Sequence, residues 1–394
     1  MSGEIDHRDG PLAAALAAEL GELRAAGLYR SRASLEGSQG AHVELAGRRY
    51  VSFASNDYLG LAGDPRLIAA AQAGATRYGV GAGASHLLYG HASVHAALEH
   101  ALAELVGLPR ALFFSTGYMA NLGVVTALCG RDDEVFADKL NHASLNDAML
   151  LSRARVHRYP HLDLDRLEHA LARSRARRKL VVTDAVFSMD GDLVTVPQLV
   201  WLCERYGAFL LLDDAHGFGV LGEGGAGILS HWRVRSDRVV YMGTLGKAAG
   251  VHGAFVAAEP AVIDYLVNRA RTYMFTTASP PMLACALLES VRIIRSEGWR
   301  REHLRGLIAH FTSRLVTSPG KLLPSVTPIQ PLVLADAEHA LGVSQYLLEQ
   351  GFIVPAIRPP TVPRGTARLR ISLSAAHSLV EVERLADALD ICVP

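Results

Sequence analysis

The sequence predicts an α/β protein, with a large layered domain on a mostly parallel sheet and a smaller α+β segment at the C-terminal end. Three observations carry this. Apolar runs of strand length at 111–114, 134–137, 180–183, 208–212, 238–242 and 253–257 alternate with helical stretches between about residues 55 and 290. The runs are continuous, not alternating, as expected for strands covered on both faces. From about residue 290 a long helical stretch leads into three further runs, at 329–334, 353–356 and 367–373.

The elements before residue 55 read differently. Residues 11–28 are rich in alanine, leucine and glutamate at helical spacing and predict a helix. Residues 42–54 alternate as a short hairpin does, through His42-Val43-Glu44-Leu45 and Tyr50-Val51-Ser52-Phe53. The expected organisation is therefore an N-terminal helix and hairpin segment over 1–54, a large α/β domain over 55–290 and a small C-terminal α+β domain over 291–394.

Bulk properties narrow the function. Half of the 394 residues are apolar, enough for a large core, and 39 basic residues balance 39 acidic ones. A zero balance gives no electrostatic reason to expect nucleic acid or an anionic membrane as a partner. Cys129, Cys203, Cys285 and Cys392 are far apart and form no CxxC pair, so they read as buried thiols in a reducing compartment. The acidic, polar N-terminus does not read as a signal peptide, and no apolar run reaches the length of a membrane span. The expectation is a soluble, cytoplasmic protein.

The chemistry concentrates at strand ends. Asp213 closes the apolar run 208–212, and His216 follows it. Lys247 lies in Gly243-Thr244-Leu245-Gly246-Lys247, just after the run 238–242. A lone lysine on a glycine-rich turn is usually a surface residue. Small flanking residues here permit close approach of a ligand, and Thr244 offers a hydroxyl for a phosphate. A Walker loop is excluded, because Ala248 stands where it needs Ser or Thr, and Tyr241 where it needs its first glycine. A carboxylate at a buried strand end must pair with a cation; a pyridinium N–H is one candidate and a structural arginine another. An acid, a histidine and a lysine at two strand ends point to an aldehyde cofactor linked to the lysine.

Other motifs are weaker. Gly217-Phe218-Gly219-Val220-Leu221-Gly222 matches a dinucleotide fingerprint literally, but its glycines do not sit at the strand-to-helix turn and no acid ends the next run. Ser115-Thr116-Gly117-Tyr118-Met119-Ala120-Asn121 follows a strand and opens a helix, which suits a phosphate but equally an ordinary cap. His142, in a polar turn, could stack on a flat cofactor or simply cap a helix. Ser188 is not in a GxSxG elbow, so a hydrogen bond to a cofactor suits it better than a nucleophile's role. His91 and His95 share a helix face without the glutamate of HExxH and read as packing residues.

Together these pieces resemble the α-oxoamine synthases, fold-type-I enzymes that use pyridoxal 5'-phosphate (PLP). The resemblance runs over nearly the whole chain. It rests on Ser55-Asn56-Asp57-Tyr58-Leu59-Gly60-Leu61, Leu140-Asn141-His142-Ala143-Ser144, Val186-Phe187-Ser188-Met189-Asp190-Gly191-Asp192, Asp213-Asp214-Ala215-His216-Gly217 and Gly243–Lys247. The run Ala356-Ile357-Arg358-Pro359-Pro360-Thr361-Val362-Pro363, with Gly365-Thr366-Ala367-Arg368-Leu369-Arg370, resembles the member that condenses L-alanine with a pimeloyl thioester, on CoA or acyl carrier protein, in biotin biosynthesis. That run argues against glycine C-acetyltransferase and serine palmitoyltransferase. An aminotransferase of the same fold, which needs no thioester, and a nicotinamide dehydrogenase are the rival classes.

The resemblance implies a homodimeric transferase and a role for each matching residue. Lys247 resembles the Schiff-base lysine, Asp213 the partner of the pyridine nitrogen, His216 and Ser188 the partners of the ring oxygen, and His142 the residue stacked on the ring. Gly117, Tyr118 and Thr244 resemble phosphate ligands, with Thr277 reaching in from the other subunit. Asn56 and Arg370 resemble contacts on the carboxylate side of the substrate, and Arg30 and Thr361 contacts to the acyl chain. Ala84, Asp184 and Ala249 depart from the residues many relatives carry, and the expected consequence of the latter two is a looser acyl pocket.

Overall fold

The computed structural model describes residues 10–315 and 321–392; residues 1–6, on which the reading of the N-terminus rests, lie outside them. Seven strands form the central sheet, in the order Arg110–Phe114, Ala254–Ala258, Val239–Thr244, Phe209–Asp213, Lys179–Asp184, Glu134–Asp138 and Arg155–Tyr159. Ala254–Ala258 runs antiparallel to both neighbours, and the remaining pairings are parallel. The predicted runs are the five inner strands and the edge strand Arg110–Phe114, and the inner strands are apolar on both faces. Phe136, Val181, Leu210, Leu212 and Tyr241 face one core; Val135, Val182, Leu211, Val240 and Met242 face the other. Truncating one of these leucines to alanine costs about 2–5 kcal/mol.

The edge strand Arg155–Tyr159 was not among the predicted runs. Its sequence, Arg-Val-His-Arg-Tyr, is interrupted by charge, as suits a strand with one neighbour and an open side. The expected run 353–356 also divides in two. Phe352–Ile353 pairs in parallel with Arg48–Ser52 of the N-terminal hairpin, whereas Ala356–Ile357 joins the C-terminal sheet beside Ala367–Ser372. Pro355 stands between the two halves and has no N–H to continue either ladder.

The N-terminal helix spans Pro11–Ala25, and none of its residues is buried in this protomer. The helical stretch expected from residue 290 is two helices, Pro281–Ser296 and Gly298–Arg314, and the first begins before that point. Pro281–Ser296 packs closely on helix Pro65–Tyr78 at Gly74. A Cβ there would lie 2.9 Å from both Cys285 Sγ and the Met282 Cα. Glycine at 74 thus sets how deeply the two helices approach. The four cysteines are free thiols. Among the described residues no helix is long and apolar enough to cross a membrane.

The parallel strands end at one edge in polar residues: Asp138, Asp184, Asp213 and Thr244. Ligands of open α/β sheets bind outside this carboxyl edge. At one flank His161 bridges two acids, with Nδ1 3.1 Å from Asp138 Oδ1 and Nε2 2.8 Å from Asp192 Oδ2. Burial works against its charge, but the hydrogen bonds to Asp138 and Asp192 prevail and raise its pKa to about 10.

His161 therefore contributes stability that is complete below the ordinary histidine value of about 6.5 and is lost as pH rises through about 10. His161→Gln is expected to cost about 3 kcal/mol at pH 6 in urea unfolding, with much of that cost gone by pH 10. A cost independent of pH would show that the ring is held there uncharged.

Candidate active site

Asp213 ends the strand Phe209–Asp213 and is 5% exposed. Two donors hold it. The Ala215 N–H reaches Oδ1 at 3.0 Å, and Asn121 Nδ2 reaches Oδ2 at 2.7 Å. Asn121 comes from helix Gly117–Leu128, whose N-cap is Thr116, with its Oγ1 accepting from the Met119 N–H at 3.1 Å. The N–H groups of Gly117 and Tyr118 precede that bond and open the helix, as an anion site requires. A Cβ on Gly117 would meet Thr244 Cγ2 at 2.7 Å, so only glycine lets this helix start lie against the end of strand Val239–Thr244. Thr244 Oγ1 donates to the Ala215 carbonyl at 3.2 Å.

Lys247 is reached through a relay. Its Nζ lies 2.8 Å from His216 Nε2, and His216 Nδ1 lies 2.7 Å from the Tyr58 hydroxyl. That hydroxyl donates to Asn56 Oδ1 at 3.1 Å, and Arg370 donates to the same oxygen at 3.2 Å. Burial, with Lys247 and Arg370 nearby, holds the His216 pKa far below its ordinary value, so the ring is neutral. With Lys247 donating to Nε2, the remaining ring proton sits on Nδ1 and points at Tyr58. Burial also lowers the Lys247 pKa to about 8; Asp213 opposes this and Arg370 reinforces it. Such an amine gives up and regains a proton near neutrality, as catalytic lysines must.

His142 caps helix Ala143–Ser152. Its Nδ1 accepts from the Ser144 N–H at 3.2 Å and lies 2.8 Å from Ser144 Oγ, so the proton of the neutral ring is on Nε2. Burial lowers its pKa. Asn121 Nδ2 also donates to Ser144 Oγ at 2.8 Å, which ties His142 to the group that holds Asp213. The His142 N–H donates to Asp184 Oδ2 at 3.0 Å.

These residues line one cavity of 190 Å³, together with Gly117, Tyr118, Ser188, His216, Thr244 and Lys247. An apolar cavity of about 150 Å³ admits a benzene ring, so this one has room for a single substituted ring. Two buried polar atoms of its lining, Asn121 Oδ1 and Asp184 Oδ1, have no partner among the described residues. A flat polar cofactor fits that donor set: a carboxylate and a lysine on one wall, a neutral histidine on another, and a helix start for a phosphate.

The other predicted residues lie outside this cavity. Asn56 joins the relay through Tyr58 and Arg370. Arg370 also donates to the Ser188 carbonyl at 2.5 Å and to Ser372 Oγ at 2.9 Å. Ser188 borders a second cavity of 140 Å³, which runs past Met189 to Thr361 and Arg368. Arg30, exposed, donates to Thr361 Oγ1 at 3.2 Å. Thr277 is exposed and bridges Ser85, away from this protomer's cavity.

Two expectations about the departures are corrected. Asp184 lines the cavity beside Asp213 and not the one that reaches Thr361. Ala249 is fully buried in the core, its carbonyl accepting from Ser290 Oγ at 2.7 Å, and it lines no part of the cavity. Tyr58 and Asn121 were missed as site residues. For Asn121 a signal existed: it lies four residues after Gly117, on the same helix face as the phosphate-suited helix start. The histidines at 86, 91 and 95 cluster, but both ring nitrogens of His95 are committed, Nδ1 to the Ala92 N–H at 3.0 Å and Nε2 to the Ser279 carbonyl at 2.8 Å. That leaves His95 no lone pair for a metal.

Known proteins resemble this chain over most of its length. The sequence model of the class I and II aminotransferases matches residues 48–389. An 8-amino-7-oxononanoate synthase from Methylobacillus flagellatus is 59% identical over 379 residues, 96% of each chain. One from Nitrosospira multiformis is 60% identical over 362 residues, 92% of this chain and 91% of the relative. Among solved structures, an 8-amino-7-oxononanoate synthase from Francisella tularensis superposes with a TM-score of 0.77 at 30% identity, covering 87% of this chain and 97% of that one. A serine palmitoyltransferase variant from S. paucimobilis with a bound PLP–myriocin aldimine superposes with a TM-score of 0.90 at 29% identity, covering 96% of each.

Competitive acetylation of the protein without cofactor should titrate Lys247 with a midpoint of about 8. Asp213→Asn should move that midpoint lower, because the Asp213 charge is what holds it up. A midpoint near the ordinary lysine value of 10.5 would contradict the relay as described.

Proposed function

We infer the function from one premise: this chain belongs to the class I and II aminotransferase family and, within it, to the 8-amino-7-oxononanoate synthases. It is a PLP-dependent acyltransferase of biotin biosynthesis, condensing L-alanine with a pimeloyl thioester to give 8-amino-7-oxononanoate, CO2 and a free thiol. The observation that carries the reading is the convergence of Lys247 and Asp213, from two strand ends, on one cavity with a neutral His142 and a helix start.

When bound, the cofactor supplies an aldehyde that captures an amine and an electron-poor ring that draws charge from the amine's α-carbon. The residues of the chain do the rest. Gly117 and Tyr118, through their free N–H groups, and Thr244 would hold the phosphate. Asp213 would keep a proton on the pyridine nitrogen, its charge fixed by Asn121 and Ala215. His142 would pack on the ring, and His216 with Ser188 would hold its oxygen. Lys247 Nζ would take the Cα proton of alanine and later return one, which an amine with a pKa of about 8 is suited to do. Arg370 and Asn56, at the seam between the cavity and the C-terminal sheet, would receive the alanine carboxylate. Arg30 and Thr361, beyond the second cavity, would receive the far end of the acyl chain.

The working unit on this reading is a homodimer. Leu88, Tyr89 and Phe275 are 69%, 103% and 69% exposed. The Ser85–Thr277 bridge brings their two segments side by side into one apolar patch. A second copy covering that patch would carry Thr277 toward its neighbour's phosphate site.

Mass analysis of products tests the function, with alanine, glycine or serine offered against pimeloyl and shorter thioesters. Alanine with the pimeloyl donor should give 8-amino-7-oxononanoate and one thiol per turnover, and Lys247→Ala should lower turnover by at least about 10³-fold. A keto acid formed from alanine without thioester consumption would mark an aminotransferase instead.

A further inference from the structure

We propose that Asp184 is a positioning residue that stays a neutral carboxylic acid, its proton on Oδ1, so that the two strand-end carboxyls of the cavity share one negative charge and that charge sits on Asp213. The inference rests on the reading of Asp213 as the carboxylate facing the cofactor ring.

The geometry comes from the sheet. Asp184 and Asp213 are partners in register on adjacent parallel strands, so their side chains leave the same face about 4.8 Å apart at the backbone. They are 4% and 5% exposed. With two carboxyls on adjacent strands and this dry, one ionises in preference to the other. The donors decide which one does. Asp213 receives one on each oxygen, from Ala215 and Asn121. Asp184 receives one, from the His142 N–H on Oδ2, while Oδ1 is buried without a partner. An ionised Asp184 would leave a bare anionic oxygen in the protein; a protonated one presents an O–H there instead.

The groups facing Asp184 give the same answer. Burial raises its pKa well above the carboxylate range and Asp213 raises it further. Lys247 and the His142 N–H pull the other way, and Asp138, at the end of the next strand, adds to the rise. Neutrality at 184 also matters for Lys247. A second negative charge would hold the lysine more firmly protonated, since Asp184 and Asp213 both act on it in that direction. Keeping one charge leaves the amine able to exchange its proton near neutral pH.

The test compares wild type, Asp184→Asn, Asp184→Ala and Asp213→Asn. In the infrared difference spectrum at pH 7, Asp184→Asn should remove a protonated-carboxyl C=O band; loss of carboxylate bands instead would overturn the proposal. In the cofactor-free protein, a carboxyl with a raised folded pKa makes stability fall as pH climbs above about 3.9, the unfolded aspartate value, and asparagine does not titrate. The melting temperature of Asp184→Asn should therefore gain on wild type steadily from pH 4.5 to 8. A constant offset, shared by Asp184→Ala, would mean that Asp184 only fills space, and the proposal falls. In cofactor titrations Asp213→Asn should weaken binding at least about tenfold and Asp184→Asn by no more than about threefold. Equal losses would overturn the proposal. Full affinity in Asp213→Asn, with the infrared band intact in wild type, would uphold the proton on Asp184 and overturn the reading of Asp213 on which the function rests.

Discussion

A carboxylate held out of water at the end of an apolar strand has to be paired, and the pairing of Asp213 organises this molecule. The strand Phe209–Asp213 is covered on both faces, so its terminal acid has no route to solvent along the sheet. Its protein donors are an amide side chain and a backbone N–H, and neither carries charge. The cation it acts on in the cavity is Lys247, itself buried and with its pKa lowered to about 8. An anion without a full cation, next to a lysine ready to lose its proton, is an arrangement that a cationic ring nitrogen completes.

The rest of the structure brings distant segments to that pair. Asn121 arrives on the helix after one strand, His142 on the turn after another, and Tyr58 on the chain that leaves the N-terminal hairpin. Arg370 comes from the C-terminal sheet and binds Asn56, Tyr58 and the Ser188 carbonyl. The hairpin and the C-terminal region are also joined by the parallel pairing of Arg48–Ser52 with Phe352–Ile353. The cavity is thus lined by residues of the central domain, between Gly117 and Lys247, and segments from both ends of the chain brace it from outside through Asn56, Tyr58 and Arg370.

Much of this was legible in the sequence because it follows from local pattern. Continuous apolar runs marked six of the seven strands of the central sheet, and acids or small polar residues at their ends marked the edge where Asp213, His216 and Lys247 lie. What was not legible depends on pairing across the chain. Arg155–Tyr159 carries two arginines and a histidine and so shows no apolar run; only the sheet order reveals it as a strand. Tyr58 becomes a site residue only by contact with His216, 158 residues away. Asp184 looked like a variable position near the substrate, because its sequence neighbours do not disclose that sheet register sets it beside Asp213. Ala249, two residues past the lysine, points into the core, which no local signal indicated.

The central claim is that Lys247 is the residue to which the cofactor is linked. The lysines of the chain are Lys139, Lys179, Lys247 and Lys321, so the alternatives are few. Lys179 is committed to the Tyr206 carbonyl at 2.9 Å, at the start of its strand and so at the opposite edge of the sheet. Borohydride reduction of the PLP-loaded protein, followed by peptide mapping, measures the linkage directly. The phosphopyridoxyl mass should fall on the peptide containing Lys247, at one per chain; the same mass on any other lysine would place the linkage elsewhere.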